Sequence, residues 1–135
     1  GRAGVSAGRI VMEVGEPDLI PAVRQCDLSD ALVAFGLPYS LTARGRVLSI
    51  VTALVPQLRG VRIVGSAAGD LAAVALGQCD GFVGFGLAEW DTAAGQALVI
   101  GAGGVVRQTE HRSGLTVLIA GCAAVVDGLA ALINR

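Results

Sequence analysis

The chain has 135 residues and a formal net charge of −1, the size of one domain able to bury roughly two thirds of the surface its unfolded form exposes. No basic cluster accompanies that charge, which excludes nucleic acid as the main ligand. Hydrophobic residues make up 53% against 16% charged; with a mean hydropathy of +0.69, little polar material is left to coat the outside, and a partner surface is expected.

In chain order, RIVMEV at residues 9 to 14 alternates as a strand does, and DLSDALVAFG at 27 to 36 contains a second, more fully buried strand. GLPYS then reads as a turn. Over residues 41 to 58, Val47, Ile50, Val51, Leu54 and Leu58 recur at spacings of three and four, which predicts an amphipathic helix ended by Pro56 and Gly60. VRIVG at 61 to 65 reads as a short strand, and Ser66 as the N-cap of a helix AAGDLAAVALG closed by Gly77. GFVGFG at 81 to 86 is strand-like, DTAAGQALVIGAG at 91 to 103 is expected to be helical with Asp91 as its cap, and GVVRQ returns as a strand. TVLIA and CAAVVDGLAALINR supply a last strand and helix. Strands and helices alternating with short links predict an α/β domain in which helices pack on a layered, mainly buried sheet.

Residues 113 to 134 form an apolar run approaching the roughly 20 residues that span a bilayer. Asp127 lies inside it and Gly121 divides a β-branched front from an alanine-rich rear, so strand, turn and helix are expected rather than a membrane segment. Cys26, Cys79 and Cys122 are an odd number at wide spacings, which suggests neither a zinc site nor a disulfide set and points to free thiols in a reducing cytoplasm. The start GRAGVSAGR lacks an apolar stretch after its charges, so no signal peptide is expected.

Sequence motifs are few. GFGLAE and GAGGVV do not complete a dinucleotide-binding GxGxxG turn, and no P-loop, HExxH or GxSxG pattern occurs. His111, the single histidine, sits in the polar stretch RQTEHRSG and reads as a loop residue. The informative stretch is GSAAGDLAAVALGQCDGFVGFGLAEWDTAAGQALVIGAGGVV at 65 to 106. It resembles the C-terminal lobe of the inositol monophosphatase family of magnesium-dependent phosphatases. Members of that family carry a Gly-(Ser/Thr)-Ala-Ala helix start, an Asp-Gly-Phe/Tyr strand and a Trp-Asp-x-Ala-Ala-Gly helix ending in Glu-Ala-Gly-Gly. The spacing from Gly65 through Asp80 to Trp90 and Asp91 matches without gaps, and FGLPYS at 35 to 40 also resembles a family segment.

That resemblance implies one domain over residues 1–135 shaped like the family's C-terminal half, with the metal-binding N-terminal lobe missing from it; the apolar surface so bared is expected to be covered in a homodimer or larger homo-oligomer. It makes Asp91 a metal-ligating aspartate, and Ser66, Ala67 and Trp90 substrate-binding residues at a helix mouth that favours anions. Two departures stand out: Gly84 and Gly101 replace glutamates of the family pattern. Nothing here resembles the family's Glu-Glu pair or its Asp-Pro-Ile/Leu-Asp-Gly-Thr loop, and GEPDL at 15 to 19 has acids in another order. Magnesium sheds water reluctantly for a single carboxylate, so the chain alone is expected not to hydrolyse phosphomonoesters.

Three functional expectations follow. The first is a degenerate family member repurposed, without cofactor, to bind or rearrange an apolar or anionic small molecule, with Asp91 and Glu89 as an acid–base pair. The second is the C-terminal half of a magnesium-dependent phosphomonoesterase completed by a separate N-terminal-lobe chain. The third is a noncatalytic oligomeric scaffold, in which Asp91 only caps a helix.

Overall fold

The computed structural model describes the backbone of Arg2–Ser6 and Arg9–Glu13 and, in full, residues 22–135. Strands β1 (Arg2–Ser6) and β2 (Arg9–Glu13) pair antiparallel, Arg2 opposite Glu13. β2 answers to the alternating RIVMEV; Val14 and the GEPDL acids lie outside the described residues.

Among the described residues, five further strands make the main sheet: β3 (Leu32–Gly36), β4 (Gly60–Arg62), β5 (Gly81–Phe85), β6 (Val105–Glu110) and β7 (Thr116–Gly121), in spatial order β4-β3-β5-β7-β6. β3 runs parallel to β4 and β5, whereas β7 is antiparallel to both β5 and β6. Among the described residues, four helices accompany these strands: α1 (Leu41–Leu54), α2 (Ala67–Ala75), α3 (Glu89–Gly101) and α4 (Ala123–Ile133). α2 packs on α3 and α1 on α4. Gly81 faces Val125 of α4, while Gly84, three residues on, faces the cavity that α3 lines. The two helix pairs therefore cover opposite faces of the sheet.

Central strands with helices on both faces must be apolar throughout, and β5 is buried at every position. Phe35, Phe82, Phe85, Leu71, Ile119 and Leu129 are fully enclosed between the layers, each contributing about 1.5–3 kcal/mol by leaving water. The α2–α3 contact is closer than ordinary side chains permit: a β-carbon on Gly95 would stand 2.6 Å from Leu71 Cβ.

At the end of the sheet where β3 and β5 begin, Asp80 is buried at 3% exposure. Its carboxylate accepts the Leu32 backbone N–H at 2.8 Å and faces the guanidinium groups of Arg24 at 3.1 Å and Arg59 at 3.7 Å. Three strand-flanking segments thereby meet on one charge.

Several elements differ from their sequence-based expectation. Helix α1 stops at Leu54 rather than 58 because Pro56 cannot donate a backbone hydrogen bond; the chain tightens into one 3₁₀ turn, Val55–Gln57, before turning extended at Leu58. β4 pairs only through Arg62; Ile63 and Val64 leave the sheet, and Gly65, at φ +91°, turns the chain toward Ser66. Helix α3 begins two residues early. Ala88 occupies the cap position without a side-chain bond, so Asp91 lies inside the first turn instead of capping it. Both Glu89 and Asp91 suit that turn because its free N–H groups carry the positive end of the helix dipole. Ser66 caps α2 as expected, accepting the Gly69 N–H at 3.1 Å, and Gly77 follows the helix at φ +73°. The apolar run at 113 to 134 resolves into β7 and α4, and among the described residues no helix is long and apolar enough to cross a membrane.

Candidate active site

β3 sends the chain through α1 to β4 on one side, whereas its neighbour β5 sends it through α3 toward β6 on the other. Diverging connections of this kind leave a crevice beyond the carboxyl ends of the two strands. A cleft of about 380 Å³ occupies that position. Gly36 and Leu87 lie at the strand ends, Ile63, Val64 and Gly65 descend from β4, and Ser66, Ala67 and Ala68 open α2. Tyr39 and Arg44 enter from the start of α1, and Asp91 from the first turn of α3.

Three polar groups give this cleft its chemistry. The Ser66 hydroxyl accepts the Gly69 N–H at the end of α2 whose dipole favours negative charge. Arg44 is steadied through its Nε, which donates to the Pro38 carbonyl at 2.7 Å, so its guanidinium is held at the wall. Asp91 supplies a carboxylate. Together they suit a ligand bearing an anion beside a group that tolerates negative charge only when a cation intervenes.

The cleft brings together Ser66, Ala67 and Asp91 but not the other two expected site residues. Glu89 lines a separate small cavity of about 40 Å³ with Thr92, Gln96, Gln108 and Thr116. Two residues apart on a helix, Glu89 and Asp91 point in different directions, so the geometry offers them no shared proton. Trp90 is 83% exposed and lines neither hollow. His111 lies in the turn between β6 and β7, its Nδ1 2.8 Å from Ser113 Oγ and accepting the Ser113 N–H at 3.1 Å.

Leu87 stands between the two hollows and lines both. Gly36 and Gly84 are direct partners across β3 and β5. A β-carbon on Gly36 would come 2.9 Å from the Phe82 ring, and one on Gly84 2.5 Å from Leu87 Cδ1. Leu87 thus folds over the bare backbone at Gly84. Gly101, the other departure, meets nothing within 4 Å.

Arg44 was not singled out by its sequence context, although a signal existed. A cation in the first turn of a helix opposes the helix dipole, which hints at a role elsewhere. Asp70 is 5% exposed, and its Oδ2 finds no hydrogen-bond partner among the described residues. Burial pushes its carboxyl up to about 6, with Arg62 pulling the other way.

Magnesium requires near-octahedral oxygen ligation. Among the described residues, no group of three or more His, Cys, Asp or Glu side chains gathers to hold a metal, and Asp91 is the one carboxylate lining the cleft. These residues by themselves do not fit a complete magnesium site.

Comparison with known proteins places this geometry. The model of the inositol monophosphatase family matches residues 7–133. The chain is 36% identical over 111 residues to the inositol-1-monophosphatase SuhB of Mycobacterium tuberculosis, covering 81% of this chain and 38% of the relative. It is 43% identical over 81 residues to the Nus factor SuhB of Escherichia coli, covering 59% and 30%. The crystal structure of the extragenic suppressor protein SuhB from Bartonella henselae superposes with a TM-score of 0.76 at 30% identity, covering 96% of this chain and 50% of that one. The chain therefore spans half or less of the length of these relatives. With a family model matched along nearly its whole length, and a sheet of five strands between helix pairs that superposes on solved members, this chain belongs to the inositol monophosphatase family.

Proposed function

We propose that the cleft is the C-terminal share of a site for a phosphate-bearing small molecule, and that hydrolysis of a phosphomonoester needs oxygen donors beyond Asp91. The observation that carries this reading is the meeting of the Ser66-capped end of α2, Arg44 and Asp91 in one crevice. In it, the α2 N-terminus and Arg44 hold the phosphate and Asp91 offers one oxygen ligand to a divalent cation. When bound, magnesium would supply charge neutralisation and an activated water; the remaining ligands come from outside the described residues, on this polypeptide or on a separate N-terminal-lobe chain. The differing names of the two relatives above, a phosphatase and a Nus factor, leave the activity to be tested directly.

Titration of the protein with inositol monophosphate, with and without magnesium, checks this reading. Expected are saturable binding, weakened at least about fivefold in Arg44→Ala, and phosphate release only when the missing ligands are supplied. Binding unaffected by Arg44→Ala would refute it.

A second reading is favoured by the apolar wall of the cleft, Leu37, Ile63, Val64 and Leu87, and by Leu87 lying over Gly84. In that reading the protein is a repurposed, metal-independent binder of an apolar molecule, able at most to support a proton-coupled rearrangement or cyclisation. It predicts that a hydrophobic fluorophore enters the cleft and that phosphate does not displace it. No binding of either probe would leave the scaffold role. Exposed Tyr39, Leu41, Ile63, Val64 and Trp90 support association with a second copy, which light scattering at several concentrations tests. The free cysteines support a reducing, cytoplasmic setting.

A further inference from the structure

Cys26 and Cys122 are 96 positions apart, the difference between 122 and 26, yet they meet at the end of the sheet opposite the cleft. The Cys122 sulfur, at the cap position of α4, lies 3.4 Å from the backbone carbonyl oxygen of Cys26. Cys26 is partly accessible, whereas Cys122 is buried. We propose that Cys26 and Cys122 form a reversible thiol–disulfide site, in which a low-molecular-weight disulfide entering at Cys26 is exchanged for an internal cross-link between the two.

The geometry carries this. The Cys122 sulfur touches the backbone of the other cysteine; a disulfide spans Cα atoms about 4.4–6.8 Å apart, and closing it requires the Cys26 side chain to turn toward Cys122. Cys79 lies elsewhere, its thiol against the carbonyl oxygens of Leu32 and Gly81.

The exchange balances in two steps. The Cys26 thiolate, its proton released to solvent, attacks one sulfur of the small disulfide; a sulfur–sulfur bond to Cys26 forms and one small thiolate departs. Cys122 gives its proton to the first small thiolate and, as thiolate, attacks the Cys26 sulfur, forming the internal disulfide and expelling the second small thiolate, which takes up the proton that Cys26 released. Two protein thiols are oxidised and one small disulfide is reduced to two thiols. Burial holds the Cys26 thiol above its ordinary value, Asp80, Cys122 and Asp30 adding to the effect and Arg24 opposing it, so the reaction should run faster in alkaline buffer.

The cross-link would fasten a segment the structure already holds by side chains. Arg24 of that segment pairs with Asp80, and Leu28 lies against Gly128 of α4, where an added β-carbon would stand 3.0 Å away. Closing so long a loop restricts the unfolded chain strongly. The oxidised protein should therefore melt higher.

Arginine cleavage leaves the three cysteines on separate peptides, 25–44, 63–107 and 113–135, so non-reducing mass spectrometry after incubation with oxidised glutathione at pH 8 reads the pairing directly. Expected are a linked 25–44/113–135 peptide pair, lost on reduction, and a rise in thermal midpoint of about 4 °C or more. Cys122→Ala should stop at a glutathione adduct on Cys26. Cys26→Ala, at the more accessible position, should leave Cys122 unmodified and the midpoint indifferent to oxidant. Adducts on Cys26 with Cys122 free in the unsubstituted protein, chains linked to one another through Cys26, or both thiols unreacted would each overturn the proposal, as would a midpoint that rises equally in Cys26→Ala.

Discussion

The Asp80 carboxylate accepts the backbone N–H of Leu32 at 2.8 Å, binding the entry of β5 to the entry of β3 across 48 positions of chain. The buried charge is tolerated because the guanidinium groups of Arg24 and Arg59 face it. Those partners are about half exposed, at 45% and 55%, so solvent screens them while the carboxylate itself stays enclosed.

From this follows an asymmetric set of mutational costs. Asp80→Ala leaves the Leu32 N–H unsatisfied and two cations facing an empty hollow, and should destabilise by about 2–4 kcal/mol. Asp80→Asn, which keeps an acceptor, should cost less. Arg24→Ala or Arg59→Ala should each cost about 1 kcal/mol or less. Urea unfolding at neutral pH measures all four.

Asp70 should make stability depend on pH. Its ordinary value of 3.8 rises to about 6 in the folded protein, so the folded state binds the proton more tightly than the unfolded chain. This contribution is fully present below pH 3.8 and declines as pH climbs toward 6, by up to about 3 kcal/mol at 1.36 kcal/mol per unit. Asp70→Asn removes the titration. Chemical denaturation at pH 4, 5.5 and 7.5 should find the variant about 1–3 kcal/mol more stable than the parent at pH 7.5, with the gap closing near pH 4.

Two helical glycines should respond oppositely to alanine. Gly95 has Leu71 Cβ and Cδ1 both 2.6 Å from where its β-carbon would be. Gly95→Ala should therefore force α2 and α3 apart and cost about 1–3 kcal/mol, more than the helix propensity gained. Gly45 on α1 meets nothing within 4 Å, and Gly45→Ala should stabilise by about 0.5–1 kcal/mol. Thermal midpoints of the two variants give the comparison.

A glutamate at position 84 should also be costly, because its β-carbon would fall 2.5 Å from Leu87 Cδ1 and 2.8 Å from Phe82 Cε2. Gly84→Glu should destabilise by about 1–3 kcal/mol. Leu87 is the more movable obstacle, so in a Leu87→Ala background the penalty should shrink by at least about 0.5 kcal/mol. A double-mutant cycle reads that coupling.

Much of the fold was visible in local pattern. The three-and-four spacing of Val47, Val51 and Leu54 marked the buried stripe of α1, and Ser66 announced the start of α2. The motif from Gly65 to Asp91 was enough to suggest the family. The element ends were less visible. Ile63 and Val64 look like strand residues but line a cleft, since β-branched character says nothing about whether a neighbouring strand remains to pair with. Asp91 looks like a cap but is not one, because Glu89 and Trp90 before it are themselves tolerated in a first turn.

The sequence by itself determined the order of strands and helices, the apolar stripes they bury and the residue types at the motif positions, since propensity, periodicity and capping act over a few neighbours. Only the tertiary structure decided that Arg44 shares a cleft with Ser66 and Asp91 while Glu89 does not, that Leu87 covers Gly84, and that Asp70 is enclosed. Those outcomes depend on which strands lie side by side and which face each helix takes, and that is settled by burial of the whole apolar surface at once rather than by any short stretch of chain.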